Sequence, residues 1–270
     1  MKPSLAPFSP TAPSLLGLAA ACCLLVLQSL GLAHAGPAAD PSGSVSGTAY
    51  VGRFDVDMRP WREVRLRQEI TPNRFERRRW DGVDAMEVHS AASMSLMARP
   101  LSVDLESTPI LCWRWRIDAS IAGADMRQRQ GDDYAARVYV SFKLPEASMG
   151  LALRAKLKIA RTIWGADLPD AALNYVWDNR QPIGTEQANA YTDRAAMVVL
   201  RSGDSSAGRW VEERRNVQED VARLFSKDAR AVQLAVTADT DNTGQSAHAG
   251  FADFHFVPAG SPCHYPPVRP

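Results

Sequence analysis

Apolar and polar residues alternate with period two along most of the chain. Leu111, Trp113, Trp115 and Ile117 share one face, with Cys112, Arg114 and Arg116 on the other. Ala136, Val138, Val140, Phe142 and Leu144 form a second apolar row, opposed by Arg137, Tyr139, Ser141 and Lys143. Val232, Leu234, Val236 and Ala238 repeat the pattern, and Ala252, Phe254 and Phe256 close it. Successive side chains of a strand point to opposite faces, so such rows predict half-buried strands. Weaker alternation predicts further strands at 62–68, 84–90, 93–99, 194–201 and 209–215. Many strands, each with one apolar face, predict antiparallel sheets packed on one another. The expected fold is mainly β: a jelly-roll-like antiparallel β-sandwich with one or two short helices.

Two segments break the alternation. Asn216-Val217-Gln218-Glu219 has the spacing of a capping box ahead of Val221, Leu224 and Phe225. The stretch 148–164 mixes Leu151, Leu153, Leu157, Ile159 and Ile163 with Arg154, Lys156, Lys158 and Arg161. It reads as a helix capping the sandwich, with a membrane-surface helix as the alternative. No G-x-G-x-x-G turn is present, which excludes a dinucleotide-binding βαβ unit.

The N-terminus bears on location. Lys2, the apolar run 15–32 and Ala33-His34-Ala35 predict a secretory signal peptide over 1–35. A retained membrane anchor is the alternative, but Gly36, Pro37 and Asp40 follow the run instead of a basic cluster. Residues 36–48 form a flexible lead-in, 49–257 the β-sandwich domain, and 258–270, with five Pro, an irregular tail. The expected location is periplasmic or secreted, with no stable membrane span after cleavage.

Composition narrows the partners. The chain has 270 residues, 31 Lys and Arg against 30 Asp and Glu, and a formal charge of +1. That balance lacks the basic footprint of a nucleic-acid binder. A hydrophobic share of 46% and seven Trp exclude disorder. Removal of 1–35 takes away Cys22 and Cys23 and leaves Cys112 and Cys263, which either pair in an oxidising compartment or remain thiols.

Candidate chemistry gathers at strand ends. Asp132, Asp133 and Tyr134 precede Arg137 and Tyr139, which project from the face opposite the apolar row. Carboxylates, an Arg fork and flat rings suit a hydroxyl-rich ligand, while a turn with a surface salt bridge is the bland alternative. Asn174, Asn189, Tyr191, Asp193 and Arg194 extend this candidate ligand-binding set with amides and aromatics. Asp239, Asp241 and Thr243 match the first half of a calcium loop, but Gly250 stands where the bidentate Glu is required. That stretch reads either as a partial site for a structural calcium or as an Asx-rich turn. No other cofactor is expected.

Catalytic signatures are absent. There is no G-x-S-x-G elbow and no H-E-x-x-H. His89, His248, His255 and His264 are scattered without zinc-ligand spacing. Glu212 and Glu213 are adjacent on a strand and face opposite ways, so a carboxylate pair requires one of them with Asp132 or Asp133.

The ordered set Trp113-Arg-Trp115-Arg, Gly131 through Val140, Leu173-Asn-Tyr-Val-Trp177, Asn189 through Arg194, Leu200-Arg-Ser-Gly-Asp204, Trp210-Val-Glu-Glu-Arg214 and Thr237 through Gly244 resembles the bacterial secreted family catalogued as domain of unknown function 3047. The resemblance spans roughly residues 50–257. It implies an envelope β-sandwich and brings no catalytic residue. Phe251-Ala-Asp-Phe-His-Phe256 is also similar to the last strand of galactose-binding-like jelly rolls. Ala252-Asp253 stands where the family resemblance leads one to expect Asp-Asp. The expected function is non-catalytic binding of a glycan or other polyhydroxylated envelope component. The alternatives are an acid-pair hydrolase acting on envelope glycans and an envelope protein-interaction or assembly factor.

Overall fold

The computed structural model describes residues 47–55, 58–164 and 169–268. The expected signal peptide and residues 36–46 of the lead-in lie outside the described residues. In chain order the elements are β1 (Ala49–Gly52), β2 (Arg62–Val64), β3 (Arg74–Trp80), β4 (Val83–Ala91), β5 (Leu96–Pro100), β6 (Ile110–Ile117), β7 (Tyr134–Lys143), α1 (Leu151–Trp164), β8 (Ala171–Asp178), β9 (Glu186–Asn189), β10 (Thr192–Ser202), β11 (Val211–Asn216), α2 (Val217–Leu224), β12 (Arg230–Asp239) and β13 (Ser246–Val257). None of the helices among the described residues is long and apolar enough to cross a membrane.

These strands build the antiparallel β-sandwich that the alternation predicts. Among the described residues one sheet runs β11-β6-β13-β4-β3, with β1 also pairing β13; the other runs β2-β5-β12-β7-β8-β10-β9. One pairing departs from the antiparallel rule. β10 inserts between β8 and β9 and lies parallel to β8.

The apolar rows face one another in the interior. Trp113 and Trp115 of β6 meet Tyr175 and Trp177 of β8, with ring centroids 5.6 Å apart in each pair. Phe142, Phe251, Phe254 and Phe256 complete this fully buried aromatic layer. α2 begins as its local sequence dictates: the Asn216 side chain accepts from the Glu219 N–H at 3.1 Å. The helix then delivers Asp220, which accepts the Tyr175 hydroxyl at 2.8 Å and satisfies the one polar atom of a buried ring.

Three readings change. In β12 a register shift between Ala231 and Gln233 puts Ala231, not Val232, in the interior row with Leu234 and Val236. Ala252 does not share a row with Phe254 and Phe256. Asp253 adopts a φ of 58°, and the register with β6 shifts between Ala252 and His255. This β-bulge puts Phe251, Phe254 and Phe256 in the interior and turns Ala252 outward against Trp210. The charged strand β3, Arg74-Phe-Glu-Arg-Arg-Arg-Trp80, carries no alternation strong enough to predict. It lies at a sheet edge, where charge prevents further pairing.

The tail is tied down. Cys112 and Cys263 form a disulfide, which anchors residues 258–268 to the outer face of β6.

Candidate functional site

Residues of β7 alternate between the interior and the opposite face of the seven-stranded sheet, and Arg137 and Tyr139 take the latter. Arg137 is 4% exposed. Its Nε donates to Asn174 Oδ1 at 3.2 Å, and a terminal nitrogen donates to Asp239 Oδ2 at 2.9 Å. The Tyr134 and Tyr139 rings flank the guanidinium, at 5.0 and 4.6 Å from their centroids. Asp132 accepts from the Tyr134 hydroxyl at 3.1 Å and from Asn189 Nδ2 at 2.7 Å. Asp133 clasps the turn after β12: Oδ1 accepts the N–H and side-chain amide of Asn242, and Oδ2 accepts the Thr243 N–H at 2.7 Å. Gly131 permits this loop to close, because a Cβ there would lie 2.6 Å from the Asp125 nitrogen.

The structure therefore brings together residues that the sequence separates by more than a hundred positions. It also buries them. Asp132, Asp133, Tyr134, Arg137, Tyr139, Asn174 and Asn189 are all buried and largely occupied by one another. Tyr191 stands at the exposed rim, its hydroxyl 2.6 Å from Asn242 Oδ1 and 3.0 Å from the Arg129 carbonyl. Asp193 and Arg194 lie at the start of β10, and no hydrogen bond among the described residues links their side chains to the cluster.

Three carboxylates could hold a cation here. Oxygens of Asp133, Asp239 and Asp241 lie within 4.8 Å of one another. Asp239 Oδ1 is buried without a hydrogen-bond partner. Burial pushes the Asp239 carboxyl well up; Arg137 opposes this, while Asp133 and Asp241 add to it. Thr243, which the calcium-loop pattern placed among the ligands, meets this group through its backbone N–H to Asp133, and the third carboxylate beside Asp239 and Asp241 comes from Asp133.

A second constellation lies on the other sheet, which the sequence pattern did not single out. Arg53, Arg79 and Arg114 line a cleft together with Asp55, Asp84 and Asp253, beside Phe54, Val83 and the tail residues Pro266 and Pro267. The bulge in β13 aims Asp253 at Arg114, with Oδ2 at 3.2 Å from Nε. That contact is poorly aligned: neither atom has a hydrogen-bond partner among the described residues, and both are buried. A non-Gly residue in the left-handed region, held in a cleft, costs roughly 1–3 kcal/mol that its surroundings must offset. The only sequence signal for it was the Ala252-Asp253 departure. A bulge depends on pairing, so alternation alone could not reveal it.

Burial pushes the Asp253 carboxyl up to about 6 against the pull of Arg114 and Arg53. Because the folded value lies above the unfolded one, its favourable contribution is complete below about pH 4 and is lost as pH rises through 6. Asp253→Asn, which also tolerates the left-handed backbone, removes this dependence. Wild type is expected to lose on the order of 2–3 kcal/mol relative to the variant between pH 4 and 7. Paired denaturation curves across that range check it, and parallel profiles would refute it.

The acids of the hydrolase alternative sit in separate networks. Glu213 accepts from Trp115 Nε1 and Arg201, on the edge of the six-stranded sheet, whereas Asp132 and Asp133 serve the Arg137 cluster.

The family model described as Protein of unknown function (DUF3047) matches residues 59–255. The chain belongs to this family. No curated protein matches it. Among solved structures, the xyloglucanase domain of NopAA, a type three effector from Sinorhizobium fredii, in complex with cellobiose, is 9% identical with a TM-score of 0.39. The alignment covers 73% of this chain and 92% of that one. Tomato aspermy virus follows at 12% identity and a TM-score of 0.14, covering 75% and 92%. Neither score establishes a shared fold.

Proposed function

We propose that this member of the family is an exported, non-catalytic binding protein for a glycan or other polyhydroxylated envelope component, held in the Arg114–Asp253 cleft. One observation carries the reading: buried donor and acceptor atoms of Arg114 and Asp253 lack hydrogen-bond partners at the base of an open, mixed-charge cleft. Vicinal hydroxyls donate to carboxylates and accept from guanidinium groups at once, and so satisfy both kinds of atom. A phosphate satisfies only the arginines and is repelled by three aspartates. The buried Arg137 cluster also holds unpartnered atoms, Asp239 Oδ1 and Asn174 Nδ2, but its side chains are buried and mostly engaged with one another, supporting the opposite sheet and its loops.

Export is supported by the leader pattern over 1–35 and by the Cys112–Cys263 disulfide, since disulfides persist in oxidising compartments. Calorimetric titration with a panel of envelope oligosaccharides tests the binding. Arg79→Ala and Asp253→Asn are expected to weaken it at least tenfold while the fold is retained. No binding to wild type, or unchanged affinity in both variants, would overturn the reading.

A second reading is favoured by Asp253 itself. A carboxyl raised to about 6 by burial, with smaller contributions from Asp55 and Asp84, suits a general acid. Turnover of a glycoside panel, abolished in Asp253→Asn, would establish a hydrolase instead.

A further inference from the structure

The outer face of the six-stranded sheet carries a second cluster, formed by strand register. β4 and β13 pair so that His89 lies directly opposite His248, and Glu87 opposite Gly250. These four positions share the outer face, because Met86, Val88, Ala249 and Phe251 occupy the interior. Glu87 Oε1 sits 2.5 Å from His248 Nε2 and 3.2 Å from His89 Nε2. The other nitrogen of His248, Nδ1, lies 2.6 Å from Asp118 Oδ2.

The ring planes are fixed by stacking. Arg116 lies 3.9 Å over the Trp80 ring, Trp80 stacks on His248 at 4.3 Å, and His248 stacks on His89 at 4.2 Å. Gly250 makes room for this column: a Cβ there would lie 2.8 Å from Trp210 and 3.0 Å from Trp80. Asp81 and Asp118 hold the Arg116 end of the column.

From this geometry we infer that Glu87, His89 and His248 form a binding site for a divalent transition-metal ion of the zinc type, with Asp118 as the positioning carboxylate. Two imidazoles and a carboxylate are ligands of zinc, and all three donor atoms lie within 4.8 Å of one another. Ligand atoms around a tetrahedral zinc stand roughly 3.3 Å apart, from bonds of about 2.0–2.1 Å. Only a small opening of the His248–Glu87 contact is needed. A ligating histidine characteristically gives its remaining ring nitrogen to a carboxylate, which is the relation of His248 to Asp118.

Arg78 contacts Glu87 at 2.8 Å from a side chain that is 51% exposed, so it can withdraw into water when a cation arrives. His89 is 34% exposed and His248 22%, which leaves an open approach and room for a water ligand. This is distinct from the acidic trio beside Arg137, whose all-oxygen donors suit calcium.

The test uses the tag-free chain, stripped with chelator and titrated calorimetrically with Zn²⁺, with Ca²⁺ titrated in parallel. One Zn²⁺ is expected to bind per chain, with binding lost in His89→Ala and in His248→Ala. Asp118→Asn is expected to reduce affinity 10–100-fold, as loss of a supporting carboxylate does. Imidazole nitrogen spectra of the wild type give a readout independent of the variants' folding: Zn²⁺ should shift His89 and His248 and leave His255 unchanged. Failure of wild type to bind Zn²⁺, survival of binding in either folded histidine variant, or unshifted His89 and His248 resonances would overturn the inference.

Discussion

Arg137→Met is expected to cost about 3–5 kcal/mol of stability, the range for breaking a buried ion pair by removing one partner. Met preserves much of the volume between the Tyr134 and Tyr139 rings, so the loss reports charge and hydrogen bonding more than a cavity. The deleted guanidinium leaves Asp239 Oδ2 and Asn174 Oδ1 without their donors in a buried site. It also leaves Asp239 close to Asp133 and Asp241 without the opposing charge. For a domain of this size the shift corresponds to about 6–20 °C in melting temperature. Arg137→Met combined with Asp239→Asn should recover part of the loss, because the uncompensated carboxylate is then gone. The single variant should also be less impaired in acid, where Asp239 takes up a proton. Denaturant melts of the three proteins measure this, and a loss under about 1 kcal/mol would show that Arg137 is not a structural hub.

Replacing both Cys112 and Cys263 by Ala is the other large perturbation. The disulfide spans 151 positions, and closing a loop of that length restricts the unfolded chain by about 5 kcal/mol in the entropic model. The change should lower the melting temperature by roughly 10–20 °C. Reductant should do the same to wild type and have no effect on the double variant. Binding should suffer as well. The Pro266 carbonyl accepts from Arg114, the Tyr265 ring lies 5.0 Å from that guanidinium, and the Tyr265 hydroxyl donates to the Glu213 carbonyl at 2.7 Å. With the tail released, the cleft loses Pro266 and Pro267, and affinity for the proposed oligosaccharide ligand should fall even at temperatures where the sandwich remains folded. Equal melting temperatures with and without reductant would show that the bond contributes little.

Local and repetitive features were legible along the chain. The interior faces of β6 and β7, and of β12 from Leu234 to Ala238, follow from alternation, since a strand's period is two until its register shifts, as it does between Ala231 and Gln233. The start of α2 follows from Asn216 and Glu219, three residues apart on one turn. β8 was harder to read. Asn174, Tyr175, Val176 and Trp177 are buried on both faces, so polar and aromatic residues mix where alternation would otherwise reveal a strand. Residues of the Arg137 cluster could be picked out by type, because acids and aromatics near strand ends are visible in sequence. Whether they meet a ligand or one another was not visible, because burial depends on the loops that cover them.

The linear order of residues was thus enough for a mainly β chain, its principal interior rows, one helix cap and a family. Tertiary structure alone decided the rest: the bulge at Asp253, the cleft it shares with Arg114, the joining of Cys112 to Cys263, and the pairing of His89 with His248. Each depends on strand register or on chain segments more than a hundred residues apart, except the bulge, which is an irregularity of register itself. Alternation records which face a residue takes; it carries no information about which residue lies across from it.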